Sequence, residues 1–124
     1  MSGENNLDRP YPGGFRGNTH HFALRVYFED TDLSGIVYHA NYLRFMERAR
    51  SDMLMALGIN QRAAVEAGEG AYAIADLQIR YRRPAKLDDA LLVRSRVVEI
   101  RAAATVIEQR IERDGELLAE ARVT

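Results

Sequence analysis

The sequence has no cysteine, only three prolines in 124 residues and almost no net charge, with 17 basic against 18 acidic side chains. Without cysteine there is no disulfide framework, no thiol nucleophile and no thiolate-ligated zinc site, and the composition fits a reducing compartment. Balanced charge sets up no global field to attract nucleic acid or an anionic membrane. No run of about 18 apolar residues is present to cross a bilayer. The opening stretch Met1–Asn18 is polar and rich in glycine and proline, with no apolar centre of a secretion signal. We read it as a flexible tail, residues 19–124 as one domain, and the cytoplasm as the default location. A domain of this size buries roughly two thirds of the surface its unfolded chain exposes, enough for a single core.

What is present is a sharp change of pattern at His21. Phe22, Leu24, Val26 and Phe28 alternate with His21, Ala23, Arg25 and Tyr27, the period of a strand. The turn formers of Asp30-Thr-Asp-Leu-Ser-Gly35 break it. Tyr42, Phe45, Met46, Ala49, Met53, Ala56 and Leu57 then recur at three- and four-residue intervals, predicting a helix over about Asn41–Leu57 with one apolar stripe. Asn41 is its expected cap, and Arg48 with Asp52 an i,i+4 pair on its polar side. Gly58 ends it, and Asn60 caps a short second helix running to about Ala67. A strand is expected over Ala71–Tyr81, stopped by Pro84, followed by strands over about Leu91–Ile100, Ala103–Glu112 and Leu117–Thr124. Asp114-Gly115 supplies the last hairpin turn. The final strand stops at Thr124, short of the length such a strand would be expected to reach. The layout is α+β: a five-stranded antiparallel sheet wrapped around one long helix.

The stretch from Val26 to Tyr42 carries the chemistry. Asp30-x-Asp32-x-Ser34-Gly35 matches the opening of a calcium loop, but Asn41 stands where the bidentate glutamate belongs and a strand precedes it. His20 and His21 are adjacent, hence on opposite strand faces, and His39 has no partners at ligand spacing, so no metal site is expected. Ser34 lacks a G-x-S-x-G elbow. What remains is a carboxylate, Asp32, close in sequence to a helix start whose unpaired N–H groups suit an oxyanion. Acyl transfer to water is the reaction those groups support, with Asp32 as nucleophile or general base and no metal or organic cofactor.

The run Val26-Tyr-Phe-Glu-Asp-Thr-Asp-x-x-Gly-x-Val-Tyr-His-x-Asn-Tyr-Leu-x-Phe-x-Glu-Arg-Ala-Arg50 resembles the signature of hot-dog-fold acyl-CoA thioesterases. Within them it is similar to the 4-hydroxybenzoyl-CoA thioesterase family, nearest its Tol-Pal-associated branch. Arg82-Arg-Pro-Ala-Lys-Leu-Asp-Asp89 is similar to that family's Tyr-x-x-Pro-Ala-x-x-x-Asp turn. The resemblance implies a hot-dog fold, hydrolysis of an acyl-CoA thioester, a homodimer or homotetramer with sites between subunits, and association with a cell-envelope system. It implies catalytic roles for Asp32 and for His39, which also marks the oxyanion-hole backbone, and a turn role for Gly35. The candidate substrate-binding set is Gly35, Val37, Tyr38 and Asn41, with Arg82 and Arg83 as guanidinium forks for the phosphates of coenzyme A. Members of the branch often carry tyrosine where this chain has Phe28, so no hydroxyl is available there. Two other functions use the same fold. A non-catalytic acyl-CoA sensor usually carries a helix-turn-helix, which Met1–Asn18 does not resemble. An enoyl-thioester hydratase pairs an acid with a histidine on the long helix, and this helix has none.

Simpler structural roles compete at each position. Asp32 also suits a turn, Glu29 and Asp30 a structural or solvated role, and Tyr38 and Tyr42 the core or a pocket wall. Glu47, between basic neighbours, is read as ion-paired or solvated rather than as a base.

Overall fold

The computed structural model describes residues 7–68 and 73–124. Its strands are β1 (Gly14–Arg16), β2 (Thr19–Arg25), β3 (Leu77–Tyr81), β4 (Ala90–Ile100), β5 (Thr105–Arg113) and β6 (Glu116–Val123), and its helices are α1 (Asn41–Ala56) and α2 (Gln61–Glu66). The strands form one antiparallel sheet in the order β1-β2-β4-β5-β6-β3, and α1 lies against one face of it. This is six strands rather than the expected five. The additional one, β1, lies in the stretch read as tail and pairs with β2 through Gly14 opposite His21 and Arg16 opposite Thr19.

Alternation in the strands decides the two faces of the sheet. Val93, Ile111, Ala119, Ala121 and Val123 point toward α1 and meet Tyr42, Phe45, Met46 and Ala49 in one core. The expected helix stripe holds as far as Met53, whereas Leu57 is 55% exposed. Asp52 is buried on the helix and takes a different partner from the one expected. Its Oδ2 lies 2.8 Å from His20 Nε2 and accepts the Gly13 N–H at 2.8 Å, so it fastens the β1–β2 hairpin to α1 instead of pairing with Arg48. A second polar contact lies under the helix: Gln109 Nε2 donates to the Met46 carbonyl and to Ser95 Oγ, while Arg50 donates to its Oε1. Buried polar atoms must be satisfied in this way or cost stability.

The strand expected over Ala71–Tyr81 begins only at Leu77, with residues 71 and 72 outside the described set. Its pairing with β6 runs from Leu77 opposite Val123 to Tyr81 opposite Ala119. Asp76 exchanges backbone bonds with Thr124. The closing hairpin behaves as expected: Asp114 and Gly115 both adopt positive φ, at 50° and 83°, the geometry of a tight two-residue turn between twisted strands.

Candidate active site

The strand alternation beginning at His21 stops at Arg25 because Asp30 intervenes. Its Oδ2 accepts the Tyr27 N–H at 2.9 Å, curling Phe28–Asp30 into a single 3₁₀ turn. Val26 remains fully buried, but Phe28, expected on the inner face of a strand, is 79% exposed. The other oxygen of Asp30 accepts from Asn41 Nδ2 at 2.7 Å. Buried Asp30 therefore locks the turn to the first residue of α1. Asn41 consequently does not cap the helix, and one donor of its amide is committed to Asp30; Ala40 is the N-cap and makes no side-chain capping bond.

Between Asp30 and Tyr38 the chain folds back on itself. Thr31 bridges Val37, the Asp32 N–H donates to the Ile36 carbonyl, and the Tyr38 N–H donates to the Asp30 carbonyl. Gly35 turns this loop at φ 81°, a conformation that a side chain would resist. The loop is fastened from outside by the Pro84–Asp89 segment: Val37 N–H donates to the Ala85 carbonyl and Leu87 N–H to the Gly35 carbonyl. The Ala85 N–H in turn donates to the phenol oxygen of Tyr42. Ala85 is fully buried at this junction, which accounts for a small residue there. Val37 is 4% exposed and belongs to the core, not to a substrate surface.

Asp32 stands at the exposed tip of the fold-back. Its Oδ1 accepts two hydrogen bonds from Ser34, from the backbone N–H at 2.8 Å and from the hydroxyl at 2.6 Å. Those bonds, the hydroxyl's foremost, hold the carboxyl below its ordinary pKa, so it is an anion at neutral pH. Oδ2 makes no hydrogen bond among the described residues. Ser34 was considered as a nucleophile in the sequence; its actual role is this turn-forming support, which Asp-x-Ser spacing announces.

His39 and Ala40 form the turn that opens α1. The Asn41 N–H is already occupied by the Tyr38 carbonyl at 2.8 Å, whereas the N–H groups of His39 and Ala40 have no partner among the described residues. The His39 ring is exposed; it lies 4.4 Å from the ring of Tyr38 and meets Tyr81 edge-on at 6.3 Å. The Tyr81 hydroxyl donates to the His39 carbonyl at 2.9 Å. Tyr81 stands at the tyrosine of the Tyr-x-x-Pro-Ala turn, but the sequence assigned it no role at the site. Arg82 and Arg83 follow β3, exposed, and pair with Glu120 at 3.0 Å and Glu116 at 3.4 Å. Such surface pairs contribute at most about 1 kcal/mol each, so an anionic ligand can displace them.

The chain resembles known proteins over most of its length. A family model described as the thioesterase superfamily matches residues 34–120, a span that starts just after Asp32. The acyl-CoA thioesterase YbgC of Haemophilus influenzae is 44% identical over 102 residues, covering 82% of this chain and 75% of that protein. The acyl-CoA thioester hydrolase YbgC of Escherichia coli O157:H7 is 41% identical over 103 residues, covering 82% and 76%. Among solved structures, a probable thioesterase from Bartonella henselae superposes with a TM-score of 0.79 at 37% identity, covering 85% of this chain and 87% of its own.

Proposed function

The chain belongs to the thioesterase superfamily, and from that premise we propose that it hydrolyses acyl-CoA thioesters, with Asp32 as the reacting carboxylate and the N–H groups of His39 and Ala40 as the oxyanion hole. The observation that carries this reading is a pairing of opposites on one short loop. Among the described residues, an exposed carboxylate keeps one oxygen unengaged, and seven residues on, two backbone amides at a helix start are unengaged as well. The helix end adds partial positive charge where a carbonyl oxygen becomes negative.

Two routes fit these groups. In the first, Asp32 Oδ2 attacks the thioester carbon, the carbonyl electrons move onto the oxygen held by the two amides, and their return expels coenzyme A thiolate. Water then hydrolyses the resulting mixed anhydride, releasing the acid and restoring Asp32. In the second, Asp32 takes a proton from water as that water attacks the same carbon; collapse of the tetrahedral intermediate then expels coenzyme A thiolate, which takes up the proton from Asp32. A single turnover in ¹⁸O-labelled water tests the first route in one direction: label in the Asp32 carboxyl demonstrates an anhydride opened at the aspartyl carbon, since the second route never labels Asp32.

Asp32→Asn keeps size and turn geometry while removing the charge. Turnover on an acyl-CoA panel of graded chain length, read by free thiol, should fall about 10³-fold. Activity within tenfold of the parent would refute Asp32 as the reacting group. The reading includes a homo-oligomer, since the loop bearing Asp32 lies open on the single chain.

A further inference from the structure

The two unengaged amides belong to peptide groups whose carbonyls are both bound. The His39 N–H is part of the Tyr38–His39 peptide, and the Tyr38 carbonyl accepts from the Asn41 N–H at 2.8 Å. The Ala40 N–H is part of the His39–Ala40 peptide, and the His39 carbonyl accepts from the Tyr81 hydroxyl at 2.9 Å. The first bond is made within the helix turn itself. The second comes from β3, 42 residues away along the chain.

A peptide is a rigid, resonance-coupled plane. A donor at its oxygen fixes the plane and draws electron density toward that oxygen, so the N–H at the other end becomes a stronger donor. We infer that Tyr81 is a positioning residue for hydrolysis: its hydroxyl sets the orientation and donor strength of the Ala40 N–H in the oxyanion hole. This inference rests on the thioesterase reading above.

The surroundings suit that duty. The Tyr81 ring is held by Tyr42, whose ring centroid lies 5.3 Å away at an interplanar angle of 73°, and Tyr42 is itself fixed by the Ala85 N–H. Although the residue as a whole is 45% exposed, partial desolvation raises the pKa of its phenol, which therefore stays protonated and able to donate. On this view the hydroxyl acts when the carbonyl oxygen of the substrate becomes an anion, and hardly before.

Tyr81→Phe removes the hydroxyl and leaves the ring contacts. Activity is measured on acetyl-, hexanoyl-, palmitoyl- and benzoyl-CoA, and variant and parent are compared on whichever probe the parent turns over fastest. The expected result is a loss of about tenfold in kcat, with KM within about twofold, the size of one net hydrogen bond felt in the transition state. The thermal unfolding midpoint should be unchanged. A kcat equal to the parent's, a loss appearing in KM, or a lowered midpoint or failure to fold would each overturn the inference. Asp32→Asn measured alongside separates the two claims. If it is inactive while Tyr81→Phe is fully active, only the role of Tyr81 fails. If it retains activity, or if the parent turns over no probe, the thioesterase reading fails and this inference with it.

Discussion

Ser34 extends toward acid the pH range over which Asp32 is charged, and that support can be tested through pH. The two bonds from Ser34 stabilise the carboxylate over the acid, so the folded protein keeps Asp32 ionised to a lower pH than an ordinary aspartate. If hydrolysis requires the anion, kcat/KM should be flat through neutrality and decline only well into acid. In Ser34→Ala the hydroxyl bond is lost, the pKa rises toward its ordinary value, and the acid limb should move to higher pH. A limb that stays in place, or moves lower, would mean that another group governs it. At this scale much was legible. Asp32, Gly35 and His39 are crowded into a short motif, and an aspartate two residues before a serine is a turn signal in itself. Tyr81 was not legible, because only the paired sheet brings β3 beside the start of α1. Asn41 and Val37 were misassigned for a related reason. Their destinations, the buried carboxylate of Asp30 and the core, depend on how the loop folds back.

Among the secondary elements, the helix and the hairpins followed from periodicity and turn chemistry, while the β1–β2 hairpin did not. Gly14–Arg16 is too short to show alternation, and what secures it is a single buried carboxylate on α1. Periodicity treats Asp52 as a polar-face residue with Arg48 four positions before it, since it cannot register a strand that arrives from elsewhere. The two assignments predict different mutants. Asp52→Ala leaves the Gly13 N–H and the fully buried His20 ring without their acceptor, and should destabilise the fold by roughly 3 kcal/mol in urea unfolding. Arg48→Ala removes no bond among the described residues and should change stability by less than about 0.5 kcal/mol. Equal losses in the two variants would favour the helix pair and refute the latch. The edge strand β3 was overextended because small residues alternating at Ala73 and Ala75 satisfy a strand pattern, although the strand begins only at Leu77.

Across the whole molecule, the outer face of the sheet and the loop bearing Asp32 differ in character. The outer face is laced with ion pairs, including Arg96 with Glu108, Arg122 with Glu99 and Arg94 with Glu112. A depression of about 270 Å³ there is lined by Gln78, Arg80, Glu108, Arg110, Glu120 and Arg122 and includes neither Asp32 nor His39. Around Asp32 the surface is apolar and uncovered: Leu33 is fully exposed, and Tyr27, Phe28 and Tyr38 are more than half exposed. Beside it, β3 is an edge strand paired only with β6, an arrangement natural sheets usually protect. The α+β layout was readable from the order of patterns, but what covers these residues depends on a second surface that no single-chain periodicity encodes. An acyl chain needs apolar walls, and one copy of the chain leaves the neighbourhood of Asp32 open, so a second copy is the natural source of the missing wall. Light scattering should then give at least twice the chain mass at working concentration. Specific activity should fall on dilution over the same range in which that mass falls. A monomer with full specific activity would show that one chain forms the entire site, and the assembly would then have no part in catalysis.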